Sequence, residues 1–416
     1  MTKVLALAAL VTAFLATPTI SAPLAPSPAP TMPPQETLTR LGINSKMLET
    51  LLKRGIDSHS DAIVIIKDDQ VVGQWYFGKP QVPIEAMSAT KSITALAIGC
   101  LLHDGKIKSL DEPVCDFYPE WRQGQKKLIT IRQILNHTSG LQANPTTEEI
   151  YASPDFVQLA LCAELSDAPG SKFFYNNKAV NLLAGIVRKA TGQRLDRYID
   201  ARIFAPLGIT DYRWDTDTAG NTQVMAGLQI HAMDMAKIGQ MLADGGVWKG
   251  KQIVDVSWIA EMTAQPSQSQ EPICGLLWWL EHKQIKATVD AGILDLWRQG
   301  GVPAIYITRA IPLVGKTLPP VELMTKLNVV FGGHDNKLKY LYNHNIPQMR
   351  LVAGLTVAYV ADGSLGQYLV VVPKEHLVVV RQISEDSFKN NDPDGYLSLP
   401  KLVPALVGEE VEDQQF

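Results

Sequence analysis

The period of apolar and polar positions changes along the chain, and the changes outline its elements. Between Asp61 and Gly78, "DAIVIIKDDQVVGQWYFG" holds two β-rich runs around the polar turn Lys67-Asp-Asp-Gln70, which predicts a hairpin. From residue 88 to about 265 the pattern is mainly helical. After Ser88, the residues Ile93, Leu96, Ala97, Cys100 and Leu101 recur at helical spacing, and Ala95 and Ile98 make the opposite side apolar too. A helix apolar all round is a buried one, and Asp104-Gly105 should end it. "NNKAVNLLAGIVRKATG" and "HAMDMAKIGQMLADGG" predict two further helices, each stopped by glycine. Near the far end, residues 355–360, 368–373 and 377–382 are short β-rich runs separated by "ADGSLGQ" and "KEH". Strands at both ends and helices between them imply an α/β fold: one sheet built from both chain termini, flanked by helices, plus a helical region.

Composition narrows the function classes. A chain of 416 residues, 46% hydrophobic and 19% charged, can bury a large core. A net charge of −4 offers no basic surface for nucleic acid and no polybasic membrane patch. Lys3, the apolar run 4–15 and the small residues Thr19-Ile-Ser-Ala22 follow the order of a signal peptide, expected over 1–22. That run is too short to span a bilayer, so no stable membrane span is expected, and the mature protein should be periplasmic or secreted. A Pro-rich linker follows over 23–36. The main domain is expected over 37–283 and 351–408, interrupted by 284–350, with an acidic tail at 409–416. Cys100, Cys115, Cys162 and Cys274 form no CxxC pattern, which disfavours metal and redox roles; they are expected to be free buried thiols.

Candidate chemistry starts at "EAMSATKSIT", residues 85 to 94. Ser88 and Lys91 stand at i and i+3 in the first turn of the buried helix, close enough to touch. The helix N-terminus and burial both favour a neutral amine over an ammonium. A serine beside a tuned base is what nucleophilic acyl transfer requires. The other SxxK, Ser398-Leu-Pro-Lys401, contains Pro400 and does not suit a helix interior. In "APGSKFFYNN", Tyr175-Asn-Asn177 places a phenol and an amide on one loop, suited to proton relay and to orienting a carbonyl. No GxSxG or HExxH is present, and "PLVGKT" at 312 to 317 lacks the first glycine of a phosphate loop. His334, Asp335 and His344 match no common metal spacing, so no metal and no cofactor is expected.

Ser-x-x-Lys, "LNHTSGL" at 135 to 141 and Tyr-x-Asn, in that order, resemble the serine β-lactamase and penicillin-binding-protein superfamily. The resemblance is greatest to class C β-lactamase relatives such as esterases, D-amino-acid peptidases and 6-aminohexanoate-dimer hydrolases. "AMDMAKIGQMLADGGVWKGKQIV", "GLLWWL" and "GQYLVVVPKEHLVVVRQ" extend it over roughly 45–282 and 352–385. The resemblance implies a β-lactamase-like fold with Ser88 as acylated nucleophile, Lys91 as its activator, Tyr175 as proton shuttle and Asn177 on the substrate. His137 belongs to the "NHTSG" turn and is expected to be structural. The family's third motif, Lys-Thr-Gly, aligns with Ala361-Asp362-Gly363, so the cation that would hold a β-lactam carboxylate is missing. By the same alignment Asp362, Gly363 and Ser364 border the substrate, and the N–H groups of Ser88 and Ser364 form the oxyanion hole.

The expected function is an exported serine hydrolase of ester, small amide or peptide substrates. The alternatives are a β-lactamase or DD-peptidase, and an inactive binding protein on the same fold. Helical spacing in "TVDAGILDLWRQ" and "PPVELMTKL", with Trp297, Tyr340 and Tyr342, marks 284–350 as a folded insertion. Because it leaves just before the third-motif strand, it is expected over the cleft mouth as a lid or added wall, the alternative being an insertion packed away from the site or against a second subunit. The oligomeric state is left open.

Overall fold

The computed structural model describes residues 31–144, 146–265, 272–344, 346–388 and 399–411. The expected signal peptide and most of the Pro-rich segment lie outside them. Residues 35 and 36 already belong to a short helix, Gln35–Arg40, so the tether ends earlier than expected.

Six strands make one antiparallel sheet. β1 (Ala62–Lys67) and β2 (Gln70–Trp75) come from the start of the chain. β3 (Trp279–His282), β4 (Thr356–Gly363), β5 (Gln367–Val372) and β6 (Leu377–Gln382) come from its second half. Their order is β2-β1-β6-β5-β4-β3, so strands from the two chain ends pair at its middle, with Val64 opposite Val380. Asp68 and Asp69 both take positive φ (49° and 60°), the backbone that a two-residue hairpin loop needs.

Helices cover both faces. α1 (Ser45–Asp57) lies on one; α2 (Ala89–His103) lies on the other, where the helical region adds α3 (Asn177–Val180), α4 (Leu182–Thr191) and α5 (Ala232–Ala243). Alternate strand residues divide between two cores. Val64, Ala361, Leu369 and Val378 join α2 and α5, whereas Ile63, Val360, Val370 and Val379 join α1 and the C-terminal helix Leu399–Ala405. With both faces covered, β1, β5 and β6 are buried along their whole length, hence their continuous apolar runs. α5 approaches so closely that a Cβ on Gly239 would come within 2.5 Å of Val378 Cγ1. Three cysteines are buried and none of the four forms a disulfide; Cys162 departs from expectation, because it ends the helix Phe156–Cys162 and faces solvent.

The insertion is a module with its own core. Strands Ile285–Thr288, Thr317–Leu318 and Arg350–Ala353 form a small sheet. Helices α6 (Ala291–Gln299) and α7 (Pro320–Phe331) pack there, around the fully buried Trp297, Leu327 and Phe331. Its last strand ends at Ala353, three residues past the expected boundary. The module leaves after His282 and returns before Thr356, which are paired at one end of β3 and β4. The acidic segment is anchored at its start, where Glu409 pairs with Lys283 and Lys374.

Candidate active site

Ser88 stands at the N-terminus of α2, after Met87, whose φ of +49° turns the chain into the helix. Serine is a favoured helix cap, yet Ser88 has helical φ and ψ (−65°, −16°) and its side chain caps nothing. Its Oγ faces Lys91, one turn on, with Nζ 2.9 Å away. Lys91 Nζ also donates to the Met225 carbonyl at 2.7 Å. Asn181 holds that carbonyl in place: its Oδ1 accepts the N–H groups of Val224 and Met225 at 3.0 and 3.2 Å. Lys91 is only 3% exposed and has no carboxylate partner among the described residues. Burial therefore brings its pKa down from 10.5 to about 7, and the amine can accept a proton near neutrality.

Tyr175 closes the triangle. Its hydroxyl shares a hydrogen bond with the Ser88 side chain, and its ring centre lies 5.0 Å from Lys91 Nζ. Burial pushes the phenol up to about 12, against the pull of the Ser88 bond. Of the two groups beside Ser88, then, Lys91 is the one able to take up a proton near neutrality, and Tyr175 stays a neutral phenol there. His137 orients the tyrosine loop: its ring packs 4.6 Å from that of Tyr175, and its Nδ1 accepts the Asn176 N–H at 3.2 Å. Burial, and then the charge of Lys91, drive His137 down to about 3, which leaves it neutral.

These groups open onto a small cavity lined also by Ser92, Cys274, Leu277, Trp279 and Asp362. Backbone strain gathers around it. Met87, His137, Leu277 and Leu365 all have positive φ without being glycine, a conformation that persists only where the surroundings enforce it. Ser92 Oγ helps by donating to the Leu277 carbonyl at 2.6 Å.

The remaining predicted residues divide. Asp362 lines the cavity; Asn177, Gly363 and Ser364 do not. Asn177 is the first residue of α3, where its carbonyl accepts from Asn181 Nδ2 at 3.1 Å. Its neighbour Asn176 is the inward one, capping Ala179 N–H and donating to the Leu141 carbonyl. Gly363 serves close approach: a Cβ there would lie 2.3 Å from the Ala86 carbonyl, so β4 abuts the segment leading to Ser88. Ser364 is exposed just beyond it. Wholly buried Arg381 ties the following turn to the start of β1, donating to the carbonyls of Gly366 (2.7 Å) and Ser58 (2.9 Å) and to Ser60 Oγ (2.7 Å). No residue of the insertion lines the cavity. The motif reading did not single out Asn181, Cys274 or Trp279 for this site; "GLLWWL" was the available signal for Trp279.

Fold and cleft together define an α/β protein that holds a serine beside a buried lysine between a sheet and a helical region. The chain belongs to the beta-lactamase family, whose model matches residues 48–397. It is 24% identical to the 6-aminohexanoate-dimer hydrolase of Paenarthrobacter ureafaciens over 255 residues, 56% of this chain and 65% of that protein. It is 36% identical to esterase EstB of Burkholderia gladioli over 144 residues, 30% of this chain and 36% of that one. The chain thus spans less than two thirds of either relative. The octameric penicillin-binding protein homologue from Pyrococcus abyssi shares the fold, with a TM-score of 0.56 at 19% identity, over 89% of this chain and 78% of that one.

Proposed function

We propose that this protein is an exported serine hydrolase that cleaves esters or small amides through an acyl-enzyme on Ser88. The observation that carries the reading is Lys91 Nζ, depressed to about 7, lying 2.9 Å from Ser88 Oγ. Neutral Lys91 takes the Ser88 proton as Oγ bonds to the substrate carbonyl carbon, and the carbonyl oxygen becomes an oxyanion beside the α2 N-terminus. Collapse breaks the bond to the leaving group, which receives the proton from Lys91 by way of Tyr175. Water then attacks the acyl carbon, its proton returns along the same path, and Ser88 is freed. The names of the two relatives, an esterase and a 6-aminohexanoate-dimer hydrolase, support the substrate class. Buried Ala361 in place of a cation disfavours a penicillinase. Export rests on the first residues alone.

Incubation with p-nitrophenyl acetate followed by peptide mass spectrometry tests this. The expected result is an acetyl group on Ser88 and turnover that Ser88→Ala abolishes while its circular dichroism is unchanged. Equal turnover by Ser88→Ala would overturn the assignment.

A further inference from the structure

The cavity carries one acidic group that acyl transfer through Ser88, Lys91 and Tyr175 does not use. Asp362 lines it from the end of β4, and its side chain makes no hydrogen bond or ion pair among the described residues. Trp279 on the neighbouring β3 lines it too, its ring stacked on that of Tyr175 with centres 6.1 Å apart. The two basic side chains in the lining, Lys91 and His137, are both held toward neutrality by burial. The cavity therefore presents an unpaired carboxyl group and two aromatic rings, with no fixed positive charge against them.

We propose that Asp362 is a specificity-determining residue that selects esters and amides bearing an ammonium group near the scissile carbonyl, and turns carboxylates away. This rests on the serine-hydrolase reading and deepens it. An ammonium donates to a carboxylate in a charge-assisted bond, and aromatic faces favour a partly desolvated cation. Glu281 stands behind Asp362 on the same face of the sheet, where the register sets Ala358 opposite Glu281 and Val360 opposite Trp279. Burial, and next the charge of Glu281, push Asp362 up to about 7. Burial raises Glu281 to about 7 as well, with Lys401 from the C-terminal helix opposing. A bound ammonium offsets both effects on Asp362, so its carboxylate ionises as the ligand arrives. Tyr175, raised to about 12, stays neutral beside it.

Isosteric pairs test the idea: the p-nitroanilides of glycine and 4-aminobutyrate against those of propanoate and pentanoate, in which a methyl replaces the ammonium. Wild type should favour the cationic member by at least about tenfold in kcat/KM, and Asp362→Asn should bring the ratio to about one. In parallel, butylammonium should inhibit p-nitrophenyl acetate hydrolysis competitively at concentrations where butyrate does not. This second readout needs only wild type and decides the matter if Asp362→Asn fails to fold. A wild-type ratio near or below one, stronger inhibition by butyrate, or an unchanged ratio in a folded Asp362→Asn would overturn the proposal. If p-nitrophenyl acetate leaves no adduct on Ser88, the hydrolase reading fails first. An adduct with a flat ratio sinks the ammonium selectivity alone.

Discussion

The pH dependence of acylation tests the site through a single group. Burial brings Lys91 from 10.5 to about 7. Each pKa unit is worth about 1.36 kcal/mol, so holding an ammonium at this position costs about 5 kcal/mol more than in water. An ordinary lysine at neutral pH is unprotonated in roughly one molecule in 3000; Lys91 is unprotonated in about half. The sign follows from its role. A base must be neutral to accept the Ser88 proton, so activity is lost as pH falls below about 7, tenfold per unit, and levels off above it. Tyr175, near 12, and His137, near 3, titrate outside this window. Asp362 is also pushed to about 7, so it is the competing source of the limb within the cavity lining; Glu281, raised to the same range, stands behind it outside that lining. The assay is the pre-steady-state burst from p-nitrophenyl acetate, read at a wavelength indifferent to ionisation of the product, in wild type and in Asp362→Asn. The acidic limb should remain in Asp362→Asn. Lys91→Arg should lose the burst across the range, because a guanidinium stays protonated. A flat profile from about pH 5 to about pH 9, or a limb that disappears with Asp362, would refute the assignment of Lys91 as base.

Two further expectations come from the same geometry. Lys91→Ala and Tyr175→Phe should each lower kcat/KM by about a hundredfold or more, and their double mutant should lose far less than the product, since both lie on one proton path; multiplying losses in stopped-flow kinetics would argue for separate roles. Gly363→Ala places a Cβ 2.3 Å from the Ala86 carbonyl, so it should cost about 1–3 kcal/mol in a denaturant melt and lower the burst rate by displacing Ser88.

The local parts of the site were legible and the distant ones were not. Ser88 and Lys91 are one helical turn apart, so spacing alone brings them together, and the apolar run of α2 announces the burial that tunes the amine. Tyr175 was found by its motif, but Asn181, which orients the Met225 carbonyl, acts on a segment more than forty residues away. Asn177 and Asn176 show a similar limit: the pattern marks two adjacent amides, and only the cap at Ala179 shows that Asn176 turns inward. The positive φ values at Met87, Leu277 and Leu365 come from three chain segments that meet at the cavity, so no local window predicts them. β1, β5 and β6 were readable because both their faces are covered, which turns each into an uninterrupted apolar run; β3, with its charged and polar positions, carried no such signal.

The insertion is where chain order misled, and it yields the last prediction. It precedes the third-motif strand in sequence, which suggested a lid over the cleft. In space it is attached at the opposite end of that strand. The module departs at Lys283, whose N–H donates to the Leu355 carbonyl at 2.9 Å, and Asp362 lies seven residues further along the chain from Leu355. At about 3.3 Å per residue that is roughly 20 Å of strand between the attachment and the cavity. The module's core draws only on residues 287 to 351, and none of them lines the cavity. Because Lys283 and Leu355 already face each other, replacing residues 284–354 with a short Gly-Asn turn closes β3 and β4 into an ordinary hairpin. The shortened protein should fold, and its kcat/KM for p-nitrophenyl acetate and for a bulky p-nitrophenyl ester should each stay within about threefold of wild type, because pocket walls set specificity and these walls are intact. A bulky-to-small preference shifted by about tenfold or more in a folded variant would restore the lid.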